Sequence, residues 1–251
     1  VDPVRGWLWR GIFSGARLLC VRDRRSAANL HRIMPDARVV QSADMAFLGD
    51  GLVGRAAAAS GQAAILVAAC IDASEQRAVG SSRIAQAVAA AQRLLPGAPV
   101  RMVSHDPRPG MDGDAAARIV ADSGMAALPF DAGHDLATVL GLYRDAALVI
   151  TNRLHAGIFA VLFERPVLVL DDGNPKLRVL TDTLGVPSLP ADGAAGPPIA
   201  LPVAAALGFD RAQRRAARQR EGLRAARNLA PVRVGIFNVK YSPNLGDGII
   251  A

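Results

Sequence analysis

Aromatic residues are scarce, at 4% of a 251-residue sequence that is 51% hydrophobic overall. A core with so few rings has to be filled by alanine and small aliphatics, and it is expected to be rich in helix. Cysteine is nearly absent. Cys20 and Cys70 each sit inside an apolar run, which reads as buried free thiols in a reducing compartment and excludes a disulfide framework. No group of His, Cys, Asp or Glu has the spacing of metal ligands, so no metal is expected. No apolar run reaches the ~18 residues of a membrane span and no signal peptide is visible, so the cytoplasm is the expected compartment. The formal charge of +7, carried almost wholly by arginine, admits nucleic acid, a membrane surface or an anionic substrate. Zinc-finger spacing, RNA-binding signatures and aromatic-interleaved basic strands are all missing, which ranks nucleic acid last.

What is present is a regular alternation. Short apolar runs at 17–21, 37–40, 63–69, 100–104, 128–130, 147–150 and 167–170 read as buried strands, separated by stretches with helical spacing and no hairpin signal. That order predicts an α/β fold with a doubly wound parallel sheet, Rossmann-like, over residues 17–209. The Gly-x-Gly-x-x-Gly fingerprint is lacking at its first strand-to-helix turn, which argues against a dinucleotide. Residues 1–16 read as a helical lead-in, 191–202 as a small-residue loop, and 210–230 as a basic helix with arginines on nearly every face. Solvation of that helix is the first reading. Contact with anionic lipid or a lipid-diphosphate-linked acceptor is the second.

The stretch 145–176 is the most informative. Ala147–Ile150 reads as a strand that stops at Thr151 and Asn152; a helix then follows with Leu154, Ile158, Val161 and Leu162 on one face, and Pro166 opens the next strand. In a parallel sheet, ligands bind beyond the carboxyl ends of the strands. Asn152, Arg153 and His155 fall there, and Lys176 follows the next strand. A cation and an imidazole at a helix N-terminus suggest an anionic ligand. Solvent-facing first-turn residues are the competing reading.

The run Asn152-Arg153-Leu154-His155-Ala156, its apolar helix, the Pro-led strand and the lysine after it resemble the C-terminal signature of the polysaccharide pyruvyl transferase family. The resemblance implies one half of a two-domain fold like that of B-type glycosyltransferases, and transfer of a pyruvyl ketal group from phosphoenolpyruvate to sugar hydroxyls. It also implies donor contacts from Arg153, Leu154, His155 and Lys176, with His155 as general acid, and no cofactor besides the donor. The segment VRDRRS matches the family's strand followed by Arg-Asp/Glu-x-x-Ser, which makes Arg22 a donor contact. Pairing of Arg22 with Asp23 or a neighbouring helix is its alternative. Asp44 is expected to cap a turn more readily than to shape a cleft. His105 and Asp106, at the end of a strand, are balanced between ligand contact and a local hydrogen bond.

Residues 231–251 carry a strand and an Asn-x-Gly-Asp loop, with Asn244 and Asp247 matching the loop that opens proteins of this family and faces the donor. Here the loop closes the chain, so the chain is expected to be a piece of a tandem protein or a permuted one. About 100 residues of an N-terminal half would be missing. Alone, the chain is expected to lack transferase activity. A saccharide, free or lipid-linked, is the expected acceptor, with association at the inner face of a membrane allowed. The other functional classes left open are a nucleotide-sugar glycosyltransferase of the same architecture and a non-catalytic domain binding an anionic glycan or membrane surface.

Overall fold

The computed structural model describes residues 3–16, 18–56, 62–70, 81–106, 108–123, 130–131, 135–171, 173–190 and 199–229. Asn244, Asp247 and the rest of the 231–251 segment lie outside them. The chain divides into two compact units, 1–48 with 219–235, and 49–218 with 236–251.

The first unit holds α1 (Pro3–Phe13), β1 (Leu19–Val21), α2 (Arg24–Ile33), β2 (Val39–Gln41) and a 3-10 turn, Met45–Leu48. Its two strands pair in parallel, Leu19 with Val39 and Val21 with Gln41. Asp23 caps α2 through its carboxylate, which accepts the Ser26 N–H at 2.7 Å. Among the described residues this sheet has two short strands. Cys20 is exposed, which corrects the expectation of a buried thiol; Cys70 is buried, and the two do not form a disulfide with each other.

The second unit is built on β3 (Ala64–Ala68), α4 (Ser81–Leu94), β4 (Val100–Val103), α5 (Asp112–Ser123), β5 (Phe130–Asp131), α6 (Leu136–Asp145), β6 (Ala146–Thr151), α7 (Leu154–Leu162) and β7 (Val167–Asp171). A short helix, α3 (Asp50–Val53), precedes them, and β8 (Ser188–Pro190) and α8 (Ala200–Gly208) follow; α9 (Arg211–Leu229) starts in this unit and from Gln219 belongs to the first. Six strands pair in parallel in the order β5-β4-β3-β6-β7-β8. The chain runs outward from β3 in one direction, then returns to the other side of β3 and runs outward again. That is the doubly wound order, with its switch point between β3 and β6. β1 and β2 stand apart from this sheet, so the single domain expected over 17–209 divides after Leu48. β8 and α8 were not anticipated from the sequence.

Strand alternation sorts the core. Ile65, Val67, Leu148, Ile150, Leu168 and Leu170 face one side, where they pack with Ile84, Val88 and Ile119 of α4 and α5 and Val203 of α8. Each fully buried branched side chain contributes about 1.5–3 kcal/mol. Alanines Ala87, Ala90 and Ala91 let α4 approach closely, which is how a ring-poor composition fills a core. Gly157 has a similar role in α7. A Cβ there would lie 2.3 Å from Leu180 Cδ1, and Leu180 is itself fully buried.

The end of α7 explains how α9 is held. Glu164 has φ 57, the left-handed region usually left to glycine. It occupies the first position after the cap, where its N–H donates to Val161 O at 3.0 Å and the next N–H, of Arg165, donates to Ala160 O at 2.8 Å. A glutamate tolerates this conformation, at a cost of about 1–3 kcal/mol, because its carboxylate is tied to α9. Arg211 and Arg215 each donate to it at 2.9 Å, and Arg214 Nε donates to its carbonyl at 2.9 Å. Arg215, most strongly, and Arg211 push the Glu164 carboxyl from the ordinary 4.5 down to about 2, against the effect of burial. Among the described residues no helix is long and apolar enough to cross a membrane.

A carboxyl depressed on folding stabilises the fold fully above its unfolded pKa and loses that contribution as pH falls through its folded one. The difference in unfolding free energy between wild type and Glu164→Gln is therefore expected to be constant above about pH 5.5 and to shrink towards zero by about pH 2. Denaturant titrations across that range measure it; a difference independent of pH would remove the clasp from the account.

Candidate functional site

The site grows from the carboxyl end of β6. Thr151 and Asn152, both buried, join it to the end of β3 across the switch point. The Thr151 hydroxyl donates to Ala68 O at 2.6 Å and accepts the Arg153 N–H at 2.9 Å. The Asn152 amide accepts the Cys70 N–H at 2.8 Å and donates to Cys70 O at 2.7 Å, as another backbone would. These bonds hold Arg153 at the N-cap of α7 with extended backbone, φ −108 and ψ 130.

No side chain caps α7. Its first-turn N–H groups have no acceptor within the helix, and its dipole presents positive potential there. Arg153 adds a full charge. Its side chain is 10% exposed and pairs through Nη2 with Asp112 Oδ1; its Nε is buried without a hydrogen-bond partner among the described residues. Leu154 is buried in the first turn, and His155, half-buried beside it, stacks on Phe159 with ring centroids 6.5 Å apart.

Asp112 opens α5 and its side chain is 1% exposed. Its second oxygen, Oδ2, accepts the backbone N–H of His105 at 2.7 Å and of Asp106 at 3.0 Å. One carboxylate thus joins the loop after β4 to the arginine after β6. Burial raises the pKa of Asp112, opposed by Arg153 and by the two N–H groups.

Behind this pair lies a second buried contact. His105 is 2% exposed, and its Nε2 lies 2.6 Å from the Tyr143 hydroxyl. His105 also stacks on Phe159 at 5.9 Å, so Phe159 contacts the rings of both His105 and His155. Burial first, then the charge of Arg153 and the proximity of His155, hold the His105 imidazole well below its ordinary range, which keeps it neutral. Burial pushes the Tyr143 hydroxyl well above its ordinary value. A neutral ring with its proton on Nδ1 accepts from that hydroxyl. His105 thus makes the local hydrogen bond that one of its two readings expected. Asp106 pairs with Arg108, whose Nε donates at 2.7 Å and whose hydrogen bonds hold the Asp106 carboxyl below its usual range.

Lys176 is exposed in a single 3-10 turn, Pro175–Leu177, that follows β7, where its N–H donates to Asn174 Oδ1 at 3.0 Å. β6 and β7 are parallel neighbours, so Lys176 and Arg153 share one edge of the sheet. Arg22 belongs to the first unit. It pairs with Asp44 at 3.0 Å and more loosely with Asp23 at 3.4 Å. Asp44 also accepts the Ala46 N–H at 3.1 Å, which makes it the expected cap and an arginine partner at once. Among the described residues no cluster of His, Cys, Asp or Glu is arranged to hold a metal ion.

Sequence reasoning missed Asp112, Tyr143 and the bridging role of Thr151. Asp112 lay in plain view in the Pro/Gly-rich stretch PRPGMDGD, which reads as a loop and gives no sign that a helix starts within it.

Replacing Asn152 by alanine removes two hydrogen bonds at the switch point, each contributing about 0.5–1.5 kcal/mol net. Asn152→Ala is expected to lower the unfolding free energy by about 1–3 kcal/mol, measured by denaturant titration. Asn152→Asp is expected to cost more, because a buried carboxylate then faces the Cys70 carbonyl.

The sequence model of polysaccharide pyruvyl transferases matches residues 1–174, a span that includes Arg22, Arg153, Leu154 and His155 and ends just short of Lys176. Among solved structures, a lysine-to-methionine mutant of the Thermobaculum terrenum O-GlcNAc transferase is similar at 15% identity and a TM-score of 0.44, over 92% of this chain and 43% of that one. The chain thus spans less than half of that protein's length, and the fold assignment rests on the strand order above. No curated protein matches the sequence. With more than half of its residues matched, the chain belongs to the polysaccharide pyruvyl transferase family.

Proposed function

We propose that the protein contributes the donor-binding half of an enzyme that moves a pyruvyl group from phosphoenolpyruvate onto a pair of sugar hydroxyls as a cyclic ketal. The family supports a transferase and a saccharide acceptor. The observation that carries the donor is the meeting of Arg153 and His155 at the uncapped N-terminus of α7, beside the switch point.

Phosphoenolpyruvate brings a carboxylate and a phosphate. An arginine fork suits either group, and backbone N–H groups at a helix N-terminus suit a phosphate or a carboxylate equally. Lys176, exposed on the same edge, serves as a point charge for the phosphate. Arg22, in the other unit, is assigned to the donor on the family resemblance alone, as are Asn244 and Asp247 outside the described residues. No cofactor is invoked.

In the proposed reaction His155 gives its proton to the methylene carbon of the donor. A sugar hydroxyl attacks the adjacent carbon, and its proton leaves to solvent or to the histidine. Phosphate departs with the C–O bond electrons, and a second hydroxyl closes the ketal and gives its proton to the departing phosphate or to solvent, so the products are the ketal and inorganic phosphate. Histidine is the side chain in this set whose ordinary pKa suits proton transfer near neutrality.

In the complete enzyme, Arg153→Lys is expected to keep the charge and lose the fork, weakening donor binding by about 1.5–3 kcal/mol. His155→Ala is expected to lower turnover by about 10²- to 10⁴-fold with a smaller change in donor affinity. Steady-state kinetics with binding calorimetry separate the two effects. Near wild-type transfer by His155→Ala would end its assignment as the acid, and thermal stabilisation by a nucleotide sugar but not by phosphoenolpyruvate would point to a glycosyltransferase.

A further inference from the structure

We propose that Asp112 is a positioning residue: its carboxylate fixes the direction of the Arg153 guanidinium and, through its other oxygen, locks the loop that follows β4 to the same point. The purpose of this arrangement rests on the donor reading above; the arrangement itself does not.

The geometry is specific. Oδ1 takes Arg153 Nη2, and Oδ2 takes two successive backbone N–H groups, of His105 and Asp106. The three donors come from two different strand ends, β4 and β6, which are not neighbours in the sheet, since β3 lies between them. No backbone ladder can therefore set the distance between these ends directly. A single acceptor group that reaches both does so instead.

Energetics point the same way. A buried ion pair adds little net stability, because desolvating both charges offsets most of their attraction. Asp112 is 1% and Arg153 10% exposed, so stability alone gives a weak reason for placing them there. Removing the carboxylate leaves a largely buried cation free to choose another rotamer. A long arginine side chain has several, and ordering it on ligand binding costs affinity. With Asp112 in place, that ordering is complete before any anion arrives. The loop contact extends the effect to His105, whose ring packs on Phe159, the ring against which His155 also stacks.

The test uses the full chain with isotope-labelled arginine, and Arg153→Lys to identify the Arg153 signals. In wild type the two Nη groups of Arg153 are expected to give separate, slowly exchanging resonances, the signature of a guanidinium held against rotation. Asp112→Asn is expected to merge them, and Asp112→Glu, which keeps the charge, to restore separation at least in part. Merged signals in wild type would overturn the proposal with no variant needed, as would separate signals that persist in Asp112→Asn. Calorimetry with phosphoenolpyruvate provides the second readout. Asp112→Asn is expected to raise Kd at least tenfold in the wild-type background and to change it less than twofold in an Arg153→Gln background. Equal losses in both backgrounds would mean that Asp112 acts through the fold in general, which also overturns it. Absence of phosphoenolpyruvate binding by wild type, with Arg153 still locked by Asp112, would sink the donor reading and leave the positioning role standing.

Discussion

The pairing of β3 with β6 is the constraint from which the rest of the site follows. These strands are far apart in sequence, and their parallel register, Ile65 with Leu148 through Ala68 with Thr151, brings the ends of both to one point on the sheet. A parallel sheet twists and fans at such a switch point. Here the gap is bridged by side chains that imitate backbone: Thr151 on Ala68 and Asn152 on Cys70. With those bonds made, Arg153 has no freedom in where its backbone lies, and α7 must start at the next residue.

Charge burial then decides the chemistry. A helix N-terminus and an arginine place positive potential at the carboxyl end of β6, with His155 beside them. Asp112 offsets one charge, and it is engaged by three donors and enclosed at 1% exposure. In the proposed reading an anion meets this potential at the first turn of α7. Neutral His105 and Tyr143 lie behind the pair and add polar contacts without adding charge. The split between the two histidines is thus set by burial: His105 is enclosed and neutral, while His155, at the helix start, keeps partial access.

The part of the site that is local in sequence was legible there. Thr151, Asn152, Arg153 and His155 follow one another at the junction of a strand and a helix, and each element has a clear period. Asp112 was not legible, because its meaning depends on a partner 41 residues away and on a helix that starts inside a Gly-rich run. Arg22 and Asp44 fall in the middle: the cap could be read from the short polar turn, while the ion pair between them spans 22 positions and needed the fold. β8 and α8 escaped because Ser188–Pro190 is only three residues and α8 carries Pro202, both of which read as loop. Cys20 misled for a different reason. Its apolar run is real, but β1 is a three-residue strand of a sheet separate from the six-stranded one, and only its flanking residues Leu19 and Val21 are partly covered.

The central claim is that a doubly charged, phosphate-bearing acid binds at the N-terminus of α7 beside Arg153. Backbone amide resonances followed during a titration with phosphoenolpyruvate test it most directly. The account predicts that the amides of Leu154, His155 and Ala156 and the amides of His105 and Asp106 on the Asp112 carboxylate move together and saturate with one Kd. Shifts confined to the arginine helix α9 and abolished by moderate salt, with the α7 amides unmoved, would contradict it.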